Sequence, residues 1–177
     1  QFALNLNKKF FRIDNAIMSS SKIFYGNFEG TYKDQLTNSG YFPNFISYKN
    51  YEFEVFEGVN IVGYLDFKAD FLSVNSKGDN PVNCIFENGE QIYKFSAFNF
   101  KIYRDDLSAK NTEFVLKKQN NYLSHPQVNM VYDNIDKKIT IDRSKGRRGL
   151  SPFKNLFHGI NIFADKIDFD LINNNGV

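Results

Sequence analysis

Residues 51–71 read YEFEVFEGVNIVGYLDFKADF, and the fold class follows from their order. Tyr51, Phe53 and Val55 alternate with Glu52 and Glu54, while Leu65, Phe67, Ala69 and Phe71 alternate with Asp66, Lys68 and Asp70. A period of two places every apolar group of an extended segment on one face, whereas a helix would scatter them around its circumference. Glu57-Gly58 supplies turn chemistry between the two runs, so the stretch reads as two half-buried strands.

The same alternation recurs outward from this stretch, in Phe98, Phe100 and Ile102, in Val128, Met130 and Tyr132, in Ile139 and Ile141, and in Ile167, Phe169 and Leu171. Tyr93, Phe95 and Ala97 lie on the opposite parity to Phe98, which predicts a bulge or twist near Ala97 and Phe98. Turn residues punctuate the runs at 76–81, Asn88-Gly89, Asp105-Asp106, 133–137 and 144–149. Asn88-Gly89 is a two-residue hairpin signal because both residues tolerate positive φ, and Tyr132 and Ile139 flank a second hairpin. Helical patterning is confined to a loose amphipathic look over residues 5–17 and a short turn within 150–158, after Pro152. With 20 Phe, 10 Tyr and no Trp, the chain carries the bulky residues that favour strands. The expected fold is all-β, mainly antiparallel, a sandwich or a curled open sheet whose concave face is lined with Phe, with little helix.

At 177 residues the chain is long enough for one β-rich domain spanning 1–177, with a subdivision conceivable near 105–125. It begins at Gln1 without an initiator Met and ends just after Asn173, Asn174 and Asn175, so it reads as a fragment of a longer or processed chain. Tyr51, Phe53, Val55 and Phe56 also align with Phe98, Phe100, Ile102 and Tyr103, followed by Ala69 and Phe71 in one case and Ala109 and Phe114 in the other. That is either a duplicated strand pair or the chance likeness of two Phe-rich strands.

Twenty-two basic against 20 acidic residues leave a net charge of +2, too balanced to make nucleic acid or an anionic membrane the main partner. A single cysteine, Cys84, excludes an intrachain disulfide framework and a cysteine-based zinc site. No stretch reaches the roughly 18 consecutive apolar residues of a membrane-spanning helix, and no signal peptide opens the chain.

Few residues suggest chemistry. Arg143, Lys145, Arg147 and Arg148, spaced by Ser144 and Gly146, form the one candidate ligand-binding cluster, able to hold phosphate, a lipid headgroup or an acidic glycan through guanidinium contacts, or to act only as a solvated loop. His125 precedes Pro126 and reads as an extended turn residue, and His158 as a half-buried packing residue. Neither is accompanied by a nucleophile elbow, and zinc-protease, phosphate-loop and dinucleotide signatures are missing. Asp165, Asp168 and Asp170 lack the glycine and closing glutamate of a calcium loop and read as the solvent face of a strand. Tyr25, Tyr32, Tyr41, Phe42 and Tyr48 make the first third aromatic, as core or cross-strand pairs or as a platform for sugars.

From Tyr122 onward, Ser124, His125, Pro126, Val128 and Tyr132, the strand with Ile139 and Ile141, then Leu150, Ser151, Pro152, Phe153, Phe157 and His158, and finally Ile162, Asp165 and Ile167 form a pattern that resembles very large cell-envelope proteins of Bacteroidetes whose function is uncharacterised. Phe24, Tyr25, Gly26 and the run from Tyr51 to Val55 extend the resemblance over most of the chain. It implies a β-rich internal segment of a much longer polypeptide, located in the periplasm, the cell envelope or outside the cell. It implies no catalytic residue, metal or cofactor. The functional expectation is therefore a non-enzymatic structural or interaction module whose partners are other segments of the same long chain or an envelope protein. The alternative is a glycan- or lipid-binding module that uses an aromatic-lined face and the basic loop.

Overall fold

A computed structural model describes residues 2–5, 10–19, 26–35 and 42–172, with the backbone alone at 2–5, 10 and 147. These residues form one antiparallel sheet in which successive strands are mostly neighbours. β1 (Phe2–Asn5), β2 (Phe10–Ser19), β3 (Asn27–Gln35), β4 (Asn44–Phe56) and β5 (Val59–Lys68) meander in sequence order. β6 (Phe71–Asn75) and β7 (Val82–Asn88) then lie end to end along β5, β6 beside Tyr64 to Lys68 and β7 beside Val59 to Val62. β8 (Gln91–Ala97) and β9 (Asn99–Ile102) lie end to end along β10 (Asp106–Lys118) in the same way. β11 (Asn121–Asp133) pairs with β10 and carries both β12 (Lys138–Arg143) and β13 (Phe153–Asn155) on its other side. β14 (Ile160–Ile162) and β15 (Lys166–Asp170) complete that edge beside β13 and β12.

The sheet is thus two lanes wide. One lane runs through β7, β8, the second half of β10, the first half of β11, and β13. The other runs through β6, β9, the first half of β10, the second half of β11, β12 and β15. Their concave faces close on each other. Phe86 of the first lane meets Tyr132 of the second at 4.9 Å between ring centroids, and Phe169 receives Tyr93 at 5.3 Å and Phe114 at 5.6 Å. Asn88 Nδ2 donates to Leu171 O across the same gap, at 2.9 Å.

The bend has a local cause in the β10–β11 ladder. Ala109 pairs with Met130 and Thr112 with Val128, so β10 takes three steps where β11 takes two. Phe114 then pairs with His125, and β11 takes three steps where β10 takes two. Each extra residue is a bulge, and opposed bulges turn a corner without shifting the register beyond it. Asn111, inside the first bulge, has φ 54, a left-handed conformation that asparagine adopts more readily than most residues.

Period-two alternation fills the space so enclosed. Phe45, Phe86, Phe95, Phe100, Phe114 and Phe153 are fully buried, and Phe86, Phe95 and Phe114 follow one another across β7, β8 and β10. Burying each such ring contributes about 1.5–3 kcal/mol. Gly63, on the concave face, has no room for a side chain, since a Cβ there would lie 2.5 Å from Val74 Cγ1.

The all-β, mainly antiparallel fold with little helix expected from the alternation is the fold observed, and of the two forms expected, a sandwich or a curled sheet, the strands join as one sheet. The parity switch falls where expected, with exposed Phe98 separating β8 from β9. Other expectations need correction. Asn88 pairs with Gln91, so Gly89-Glu90 fills the hairpin loop, one residue beyond the expected pair. The amphipathic look of 5–17 is strand over Phe10–Ser19, because a bulge between Ile13 and Ala16, with Asn15 at φ 58, interrupts the two-residue period. Residues 6–9 lie outside the described residues. As expected, a short turn follows Pro152, at residues 156–159 between β13 and β14, while a 3-10 turn, η1 (Arg147–Leu150), precedes it. The two aligned Phe-rich stretches are not equivalent, as Ala69 occupies a turn with φ 46 and Ala109 lies within β10.

Replacing Phe114 by alanine is expected to lower unfolding free energy by about 3–5 kcal/mol, read from the urea midpoint. Phe98→Ala, on an exposed ring, is expected to stay within about 0.5 kcal/mol of the parent. Equal effects would contradict this placement of the core.

Candidate functional site

The corner gathers three of the buried polar side chains, Thr112, His125 and Ser144. β12 ends at Arg143, the partner of Val128, and β13 rejoins β11 only at Ser124, so residues 125–127 have no strand beside them on that side. The chain from Ser144 to Ser151, containing η1, covers this gap. Ser144 N–H donates to Gln127 O at 3.4 Å, and Leu156 N–H donates to Tyr122 O at 2.9 Å further along. Gly149 is required by close approach, because a Cβ there would sit 1.8 Å from Ser144 O and 2.8 Å from its hydroxyl oxygen.

His125 is buried within β11 beneath this loop, which corrects its expected place in a turn. The register that sets Phe114 inward sets its partner His125 inward too. Its Nδ1 accepts the Gln127 N–H at 3.0 Å and its Nε2–H donates to Ser151 O at 2.8 Å, the tautomer these partners assign. The Phe153 ring lies 4.5 Å from it. Burial holds the imidazole below its ordinary pKa of 6.5, against the opposing pull of the Ser151 carbonyl and with help from the Arg143 charge. His158, expected to be half-buried, is exposed; its N–H donates to Asn155 Oδ1 at 3.3 Å.

The basic cluster divides. Arg143 pairs with inward-facing Val128, its side chain is largely covered, and its Nη2 donates to Asp165 Oδ1. Lys145 and Arg148 are exposed, and the side chain of Arg147 lies outside the described residues. The four therefore form no single outward-facing grip. Asp168 is a solvent-side strand residue as expected, accepting from Thr140 Oγ1 at 2.7 Å and facing Lys138 Nζ at 3.0 Å; these partners hold its carboxyl below the usual range. Among the described residues no group of three or more acidic, histidine or cysteine side chains is placed to hold a metal. Cys84 is buried, and burial pushes its thiol well above its usual value.

The concave Phe face is occupied by the core and presents no open aromatic groove among the described residues. Tyr25 and Tyr41 lie outside them, while the Tyr48 hydroxyl accepts the Asn15 N–H at 2.9 Å on the outer face. A cavity of about 420 Å3 opens between the lanes, lined by Phe86, Tyr132, Glu57, Glu87 and Lys137. Burial, with Asp133 and Glu57 nearby, pushes the Tyr132 hydroxyl up to about 12. Sequence reasoning missed Thr112 and Ser144, although Thr112 shares the parity of Phe114 and so was legible as inward-facing.

No family model matches the chain, and no curated protein or solved structure matches it either. Among the described residues no helix is long and apolar enough to cross a membrane.

Below pH 6.5 the unfolded chain protonates His125 while the folded chain still refuses the proton, so stability falls as pH drops through the window between the depressed value and 6.5. The expected slope is at most about 1.4 kcal/mol per pH unit, seen in urea midpoints above the carboxylate range and removed by His125→Gln. An unchanged slope in that variant would contradict the buried neutral imidazole.

Proposed function

We propose that this chain is a non-enzymatic interaction module of a large secreted or periplasmic envelope protein, joining its neighbours through the open edge formed by β14 and β15. The observation that carries this reading is the composition and pairing of that edge. Among the described residues β15 pairs only with β12, and β14 only with β13. Ile160, Phe163 and Ile172 along this edge are 50%, 73% and 67% exposed, with Leu150 and Leu156 exposed beside them. A soluble protein ordinarily blunts such an edge, and an unblunted one is a template for strand addition.

Backbone directions define what a partner meets. Arg143 N–H donates to Asp165 O and Leu171 N–H to Lys137 O, so odd-numbered residues of β15 bond inward. Lys166, Asp168 and Asp170 therefore turn their backbone groups outward. The occupant that fits is an extended segment of the same long polypeptide or of an envelope protein, with apolar residues to cover Ile160 and Phe163. The envelope location rests on the sequence resemblance. The glycan or lipid alternative draws its support from exposed Lys145 and Arg148, and the filled concave face gives it no second contact.

Hydrogen exchange of the protein in its native assembly and after isolation tests the edge. Amides of Lys166 and Asp168 are expected to be protected in the assembly and to exchange rapidly once isolated, and Lys166→Pro is expected to abolish assembly while leaving the melting temperature nearly unchanged. Fast exchange in both states would overturn the reading.

A further inference from the structure

The outer face of the sheet carries a cavity of its own. The β8–β10 ladder stops at the pair Ser96 and Glu113, and the β9–β10 ladder resumes at Phe100 and Ala109. Residues 97–99 and 110–112 therefore face each other without a ladder pair, and a cavity of about 320 Å3 opens there, lined by Phe98, Asn99, Lys101, Ser108, Lys110 and Asn111. Lys101 and Ser108 pair across β9 and β10 on the parity opposite to buried Phe100 and Ile102, which sets the cavity on the outside of the sheet. Neither the concave face nor the basic loop takes part in it.

Both walls are held in place. Phe98 O accepts the Ser76 N–H at 3.0 Å, while Asn111 N–H donates to Asn129 Oδ1 at 3.2 Å and Asn111 Oδ1 accepts from Gln127 Nε2 at 2.8 Å. The Phe98 ring is nevertheless 61% exposed, a flat apolar surface offered to solvent. A volume at the small end of the roughly 300–1,000 Å3 typical of ligand sites suits a single small ring.

The polar groups define the chemistry of the occupant. Lys101 and Lys110 make no ion pair with a described residue, and none of the described lining residues is acidic. Two ammonium groups without a local counter-charge attract an anionic group. Asn99 Nδ2 is used on Asn75 and Asn111 Oδ1 on Gln127, so Asn99 Oδ1 is left to accept and Asn111 Nδ2 to donate, beside a Ser108 hydroxyl that does both. A bare carboxylate or sulfate uses only the donors. A ligand with its own hydroxyls uses the acceptors as well, and a sugar ring adds a C–H face for Phe98.

We propose that this outer cavity binds one acidic sugar residue, carboxylated or sulfated, of a polysaccharide, with its ring on Phe98 and its anionic group on Lys101 and Lys110. The site is independent of the edge formed by β14 and β15.

Calorimetric titration of the chain with trigalacturonate, a sulfated galactotriose and neutral galactotriose tests it. At least one acidic trisaccharide is expected to bind about tenfold or more tighter than the neutral one, with an affinity that falls as salt rises; which of the two binds names the anion. Lys101→Met and Lys110→Met are each expected to weaken binding about tenfold and Phe98→Ala about fivefold, all three on exposed side chains, while Arg148→Gln on the basic loop leaves it unchanged. Absence of binding by both acidic sugars, or equal binding of the neutral one, would overturn the proposal. Parent affinity in all three cavity variants, or its loss in Arg148→Gln, would place the ligand elsewhere and overturn it equally. Tetraglutamate binding as tightly as the sugars would make the site one for acidic peptides and overturn it too.

Discussion

One constraint governs this molecule: a single antiparallel sheet with an apolar face must hide that face, and no α-helix or second sheet is present among the described residues to do so. The sheet hides it against itself. Tyr93 and Phe114 meet Phe169, and Phe86 meets Tyr132, only because the strands bend between the lanes. Every other feature follows from that closure, including the end-to-end strands, the opposed bulges and the loop that covers the corner.

Bending a ladder removes regular pairing where the bend occurs. At Thr112 and Val128 an extra residue on each strand interrupts the ladder, and polar side chains occupy the gap. His125 is satisfied there through two backbone partners, whereas Thr112, Arg143 and Ser144 are left with unused donors. Low surrounding polarity strengthens the two contacts that His125 makes there.

The outer edge has the opposite character. β15 carries Lys166, Asp168 and Asp170 in alternation, with ion pairs from Asp168 to Lys138 and Lys166, while the adjoining segment leaves Ile160 and Phe163 exposed. Charged residues line one half of the edge and exposed apolar residues the other. Such a division suits pairing with a chosen neighbour more than indiscriminate aggregation.

The sequence by itself determined the strand class, the inward parity and most turns, because a two-residue period and Gly-containing turns are local properties. Tyr51, Phe53 and Val55 announce their strand without reference to anything distant. It also marked the break at Phe98, since a parity change needs only neighbouring residues to be seen. The tertiary structure alone decided that Arg143 is largely covered and paired with Asp165 while Lys145 and Arg148 stay exposed, that His125 lies buried in β11, and that Thr112 and Arg143 flank the same residue, Val128. Those facts depend on register between segments tens of residues apart and on bulges that displace it. Local patterning shows which face a residue takes within its own strand, and only pairing across strands shows which residues meet on that face.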